Sequence, residues 1–321
     1  MTDSILHPYL PGYFEFRQGL GFKDAQDHFQ LRIFERYLCK HNVQNISEIN
    51  SEFILNLALE ALKSKSPLTV NRHLKIIENF FRYLHRIDAC ESNPLSNKLG
   101  FRPLYFSPYV FSDGEIDSIL KSFASDISQS RHWSRFCTRL ARRCAFVIQA
   151  NCGLRISEVC QLKLKNIHLS EGTILIEQTK FRKDRLIPVP KIVISEIQNY
   201  IEIRKNIDKR NLTDFLLLSY WGTLYSRKTL GHWFYLKVKE LGIYRAPYLK
   251  GNTIFGSPST HSLRHSFAVR TVRRWQERNI PIDQVSDTLA TYMGHSEFQY
   301  TQVYLKALST DPKILIFKPI A

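Results

Sequence analysis

The sequence predicts a mainly α-helical protein with one small β-sheet, in which a helical N-terminal domain precedes a mixed α/β domain. Three observations carry this. Apolar residues at steps of three and four dominate the early chain, a loop-rich stretch interrupts them near residue 100, and β-patterned runs occur only between residues 172 and 189.

The clearest helix is SPLTVNRHLKIIENFFRYLHR, opened by Pro67. Val70, Leu74, Ile77, Phe81 and Leu84 alternate steps of four and three, which makes one apolar stripe. Arg72, Lys75, Arg82 and Arg86 fall off that stripe and form either a phosphate-binding face or a plain solvated one. Phe34, Tyr37 and Leu38, then Phe53, Leu57, Leu59 and Leu62, also recur at helical intervals. Residues 90–110, CESNPLSNKLGFRPLYFSPYV, are rich in Pro, Gly, Ser and Asn and read as an interdomain linker. Ser112-Asp113-Gly114-Glu115 is a capping box that opens a second domain. Residues 136–150 pattern as a buried helix ending near Cys152-Gly153, and another helix begins around Ser157. Residues 172–179 and 185–189 have strand character, and the polar Phe181-Arg182-Lys183-Asp184 between them makes a hairpin. From Thr260 onward three helices are expected, broken near Pro281 and at Gly294-His295.

The 321 residues suffice for two domains. Lys and Arg number 45 against 29 Asp and Glu, a net charge of +16, which favours a polyanionic partner. The excess is concentrated: residues 1–106 carry 13 basic and 11 acidic side chains, residues 107–321 carry 32 and 18. No apolar run approaches the ~18 residues that span a bilayer. The first residues, MTDSILHPYLPGYFEF, lack the pattern of a signal peptide, so a cytoplasmic location and no membrane association are expected. The six cysteines form no CxxC pair and no zinc spacing with histidine; they read as reduced packing thiols, with no metal and no cofactor implied.

Four separated segments hold residues able to do chemistry. In Gly153-Leu154-Arg155-Ile156-Ser157-Glu158, Arg155 opens a helix, or simply pairs with Glu158 at i,i+3. The hairpin tip Gln178–Arg185 carries Lys180, Arg182, Lys183 and Arg185, which are either functional or merely solvated. On a helix, His261, Arg264 and His265 share one face; a zinc site is the rival there, but no HExxH pattern accompanies it. Last comes MGHSEFQYTQVYLK, residues 293–306, with His295 and Tyr304 nine residues apart and Tyr300 one turn before Tyr304. Together, two arginines, imidazoles and a lysine suit a phosphodiester whose charge rises in the transition state. A phenol of pKa ~10 needs such cations to act as a nucleophile at neutral pH.

At this point the chain resembles the tyrosine recombinases of the phage integrase family, in particular those of mobile elements. The matching motifs are GLRISE (Arg155), TKFRKDRLIPVP (Lys180), HSLRH (His261, Arg264, His265), MGHS (His295) and QVYL (Tyr304), over roughly residues 107–308 and more loosely over 24–95. The resemblance implies a helical, SAM-like core DNA-binding domain over 1–98, a linker over 99–111, a catalytic domain over 112–308 and a tail over 309–321. The two domains would close as a C-shaped clamp on double-stranded DNA bearing specific recombination sites. The assembly implied is a homo-tetramer on paired sites, or a hetero-tetramer with a paralogue. Tyr304 would form a 3′-phosphotyrosyl link, Arg155 and Arg264 would clamp phosphate oxygens, and His295 would add a hydrogen bond. Lys180 would protonate the leaving 5′-oxygen and His261 would assist proton transfer, with His265 and Glu158 as structural support. The hairpin lacks the glycines common in the family, so Lys183 stays a rival to Lys180. The apolar LIF of the tail would pack on a neighbouring protomer or on its own domain. The implied task is integration, excision or transposition of a mobile element. Alternatives are an Xer-like resolution recombinase, a type IB topoisomerase, or a catalytically silent DNA-binding regulator.

Overall fold

The computed structural model describes residues 4–22, 25–96, 99–177, 184–208 and 213–294. The chain divides into two compact units, Met1–Tyr105 and Phe106–Ala321.

The first unit is helical: α1 (Leu10–Gly19), α2 (Ala25–Lys40), α3 (Ser51–Leu62) and α4 (Pro67–Arg86). α4 begins as its sequence dictates, with the Ser66 hydroxyl accepting from the Thr69 N–H and Pro67 in the first turn, where no N–H is needed. All five stripe residues are buried. They share a core with Leu31, Phe34 and Leu38 of α2 and Ile54 and Ala58 of α3. On α3 three of the four expected residues, Phe53, Leu57 and Leu62, pack half-buried against this core beside the fully buried Ile54 and Ala58, whereas Leu59 is 48% exposed. α1 falls in a stretch to which the spacing assigned no stripe. Here Pro11 sits in the first turn, Leu10, Tyr13 and Phe14 enter the core, and Gly12 leaves room for the Tyr83 hydroxyl. Residues on both sides of the undescribed 97–98 are tied to this unit. Leu95 is buried in this core, and Asn71 both donates to the Phe101 carbonyl and accepts from its N–H.

β1 (Tyr105–Ser107) starts at the last residue of the first unit and leads into the second, to α5 (Asp113–Ser128), whose Ser112–Glu115 capping box forms as expected. α6 (Trp133–Cys152) is the central helix, buried almost continuously from Cys144 to Cys152. It is followed by the short α7 (Ile156–Cys160) and by an antiparallel sheet of β2 (Ile167–His168), β3 (Thr173–Ile176) and β4 (Arg185–Pro188). Then come α8 (Lys191–Ile207), α9 (Arg227–Glu240), the β5 (Tyr248–Lys250)–β6 (Thr253–Phe255) hairpin, α10 (Thr260–Glu277) and α11 (Ile282–Met293). α6 packs against α5, α8 and α10. The third expected terminal helix lies outside the described residues.

One small sheet was expected, and the structure holds two. The second has the order β1-β6-β5. Its strands show no buried-exposed alternation, since β5 is exposed throughout and β6 half-buried throughout, so period-2 patterning had nothing to register. All six cysteines are free. Among the described residues no helix is long and apolar enough to cross a membrane.

Some of the second unit's basic side chains are engaged internally. Arg143 grips Glu196 with two nitrogens, Lys237 is buried against Asp126 and Glu240, and Arg204 donates to the Phe215 and Thr213 carbonyls. Each of these cations is matched by at least one carboxylate, so the net excess left for a partner is not reduced by them.

Candidate active site

The site is built where three chain corners meet. At the first, α6 ends at Gly153, whose φ of +60° is left-handed and whose missing side chain matters: a Cβ there would lie 2.3 Å from the Phe267 ring. The chain then turns into α7 with Arg155 at its N-cap. The Glu158 carboxylate reaches back to accept from the Arg155 N–H at 2.9 Å and from Nη1 at 2.8 Å. The i,i+3 pair expected from sequence is therefore real, and it sits in the interior, with the Glu158 side chain 8% exposed.

The second corner is β4. Ile174 pairs with Ile187 and Ile176 with Arg185, so Arg185 occupies the same face as the buried Ile187. Its Nη1 and Nη2 donate to the two Glu158 oxygens at 3.2 and 2.9 Å. Burial acts to raise the Glu158 pKa. Hydrogen bonding and charge from Arg185, then the Arg155 N–H and the Arg264 charge, outweigh it and hold the carboxyl below its usual value.

The third corner is the end of α11 at Gly294, again left-handed with φ +65°. A helix leaves its last carbonyls unsatisfied and slightly negative. Here three consecutive carbonyls are each taken by a different arginine. Arg185 Nε donates to Tyr292 at 2.9 Å, Arg264 Nη2 to Met293 at 2.6 Å and Arg155 Nη2 to Gly294 at 3.0 Å. Arg264 also donates through Nη1 to the Gly153 carbonyl at 2.7 Å, joining the first corner to the third.

Along α10, His261, Arg264 and His265 follow the helical spacing. The two imidazoles meet edge to face with centroids 4.5 Å apart. Arg264 is 1% exposed, so a phosphate reaches it only by displacing what covers it. His261 has an exposed edge, but crowding by the surrounding protein, then the Arg264 and Arg155 charges, lower its pKa to about 4. The ring is neutral at neutral pH, able to accept a proton.

Arg155, Arg264, Glu158, His261 and His265 are thus gathered around one turn. Three guanidiniums against one carboxylate leave a cationic site suited to an oxyanion. Lys180, Arg182, Lys183, His295, Tyr300 and Tyr304 lie outside the described residues. Among the described residues no group of three His, Cys, Asp or Glu is placed to hold a metal ion. In the first unit Arg72 is exposed, whereas Lys75 and Arg82 both pair with Glu78. Arg185 had no assigned role in the sequence. The available signal was register, since placing Ile187 inward places Arg185 inward too.

Residues 115–310 match the phage integrase family. A putative integrase/recombinase, y4rB of Sinorhizobium fredii, is 28% identical over 309 residues, covering 94% of this chain and 93% of its own. Among solved structures, the Tn1549 transposon integrase in complex with circular intermediate DNA superposes with a TM-score of 0.65 at 20% identity, covering 91% of this chain and 93% of that one. A lambda integrase dimer bound to a COC′ core site gives 0.63 at 15% identity, covering 100% of this chain and 81% of that one.

Proposed function

The chain belongs to the phage integrase family and is a tyrosine recombinase, a DNA-binding enzyme that transfers DNA strands; from that premise we propose that Tyr304 is its nucleophile and that the turn at Gly294 is where the scissile phosphate docks. The observation that supports this reading is the convergence of Arg155 and Arg264 on the carbonyls of Gly294 and Met293, immediately before His295 in the chain. In the step proposed, the Tyr304 oxygen bonds to phosphorus and the bond from phosphorus to the 5′-oxygen breaks. Lys180, with Lys183 as its rival, supplies the proton to that oxygen, and neutral His261 accepts the phenol proton. Arg155, Arg264 and His295 stabilise the extra negative charge on the non-bridging oxygens. Glu158 and His265 orient the arginine and the imidazole beside them. Reversal by a partner strand's 5′-hydroxyl rejoins DNA without an external energy source.

The division 1–98, 99–111, 112–308 and 309–321 is proposed as DNA-binding core, linker, catalytic domain and exchanged tail. Arg72, Lys75, Arg82, Arg182 and Lys183 contact DNA phosphates in this reading. The working form is a tetramer on two paired sites, and the task is integration, excision or transposition of a mobile element. A duplex carrying the element's end with a nick beside the cleavage position tests the chemistry. The expected outcome is a denaturation-resistant protein–DNA adduct; binding with no adduct would instead mark a silent DNA-binding protein.

A further inference from the structure

We propose that Arg185 is a positioning residue that locks the phosphate-binding arginines to the end of α11, and so sets where the chain leading to His295 and Tyr304 begins. This rests on the recombinase reading above and deepens it by adding a residue that the chemistry itself does not call for.

All three nitrogens of the Arg185 side chain have partners: Nη1 and Nη2 on Glu158, Nε on the Tyr292 carbonyl. The side chain is 8% exposed. It is therefore placed to brace the site, not to face a phosphate. Through Glu158 it fixes Arg155, because the same carboxylate oxygens also accept from the Arg155 N–H and Nη1. Through Tyr292 it fixes the first of the three terminal carbonyls whose other two belong to Arg264 and Arg155. Gly294 completes the fit, since a Cβ there would lie 2.8 Å from Arg185 Nη1. Among the described residues Arg185 bridges the carboxylate that aims Arg155 and the helix end that precedes His295. A planar fork can hold both at once, whereas an ammonium is a single point charge.

The lever is geometric. A displacement of about 1 Å at reacting groups costs on the order of 10²-fold in rate. Arg185→Lys and Arg185→Ala are compared with wild type for the rate of adduct formation on the nicked duplex at saturating DNA, and separately for DNA affinity. The expected result is a rate about 100-fold lower with affinity unchanged. A duplex whose leaving 5′-oxygen is replaced by sulfur, a leaving group that needs no proton, separates the two arms of the site. It restores a Lys180→Ala/Lys183→Ala chain but not the Arg185 variants. Wild-type rates in both variants, a loss confined to DNA affinity, full activity of Arg185→Lys, or rescue by the sulfur substrate would each overturn the assignment. So would failure of both variants to fold, which would make Arg185 a stability residue only. If wild type itself forms no adduct, the recombinase reading falls before this one is reached.

Discussion

Two carboxylates in this molecule carry nearly the same local sequence signal and meet opposite fates. Glu78 on α4 pairs with Lys75 three residues before it and Arg82 four after, at 2.8 and 2.5 Å. Glu158 pairs with Arg155 three residues before it and with Arg185 across the fold, at 2.8 and 2.9 Å. The cations on Glu78 are 58% and 64% exposed; those on Glu158 are 23% and 8%. In water such a pair is worth little, because solvent screens it and two long side chains must be held still. In the interior, removing one partner strands the others without water. The difference teaches that an i,i+3 pair says nothing about function until burial is known.

The largest expected effect is at the buried carboxylate. Glu158→Gln should lower unfolding stability by about 3–5 kcal/mol, since two guanidiniums lose their counter-charge. Chemical denaturation measures it, and a loss under 1 kcal/mol would erase the contrast with Glu78. Next come the glycine corners. Gly153→Ala forces a left-handed alanine and a clash with Phe267, and should cost about 1–3 kcal/mol by thermal unfolding. Then pH. His261 titrates near 6.5 when unfolded and at about 4 when folded. Its contribution is complete above pH 6.5 and is lost as pH falls towards 4. His261→Gln should flatten that part of the stability profile, and an unchanged slope would show that the ring is not held neutral. The smallest effect belongs to Glu78→Gln, under about 1 kcal/mol and fading with salt.

The same contrast explains what the sequence could reveal. The α4 stripe, the Ser112–Glu115 box and the β3–β4 strands were legible because each is set by neighbours in the chain. Arg155, Arg264, His261 and His265 were legible as a motif, though nothing local told that Arg264 is enclosed. β5–β6 was hidden by strands without alternation. Arg185 was hidden because its partners lie 27 and 107 residues away, and a basic hairpin offers several arginines and lysines of equal appearance.

One further tyrosine stands close to the site, and its setting makes it a poor nucleophile. The Tyr292 hydroxyl donates to the Pro188 carbonyl at 3.2 Å, and burial, then Cys152, push its pKa upward. Tyr300 lies one turn before Tyr304 in the expected helix. The decisive measurement is therefore to trap the adduct on the nicked duplex, digest the protein, and identify by mass spectrometry the residue that retains the 3′-phosphate. Attachment at Tyr304, abolished in Tyr304→Phe, is the outcome predicted. Attachment at Tyr300, at Tyr292 or at any other residue would contradict the account.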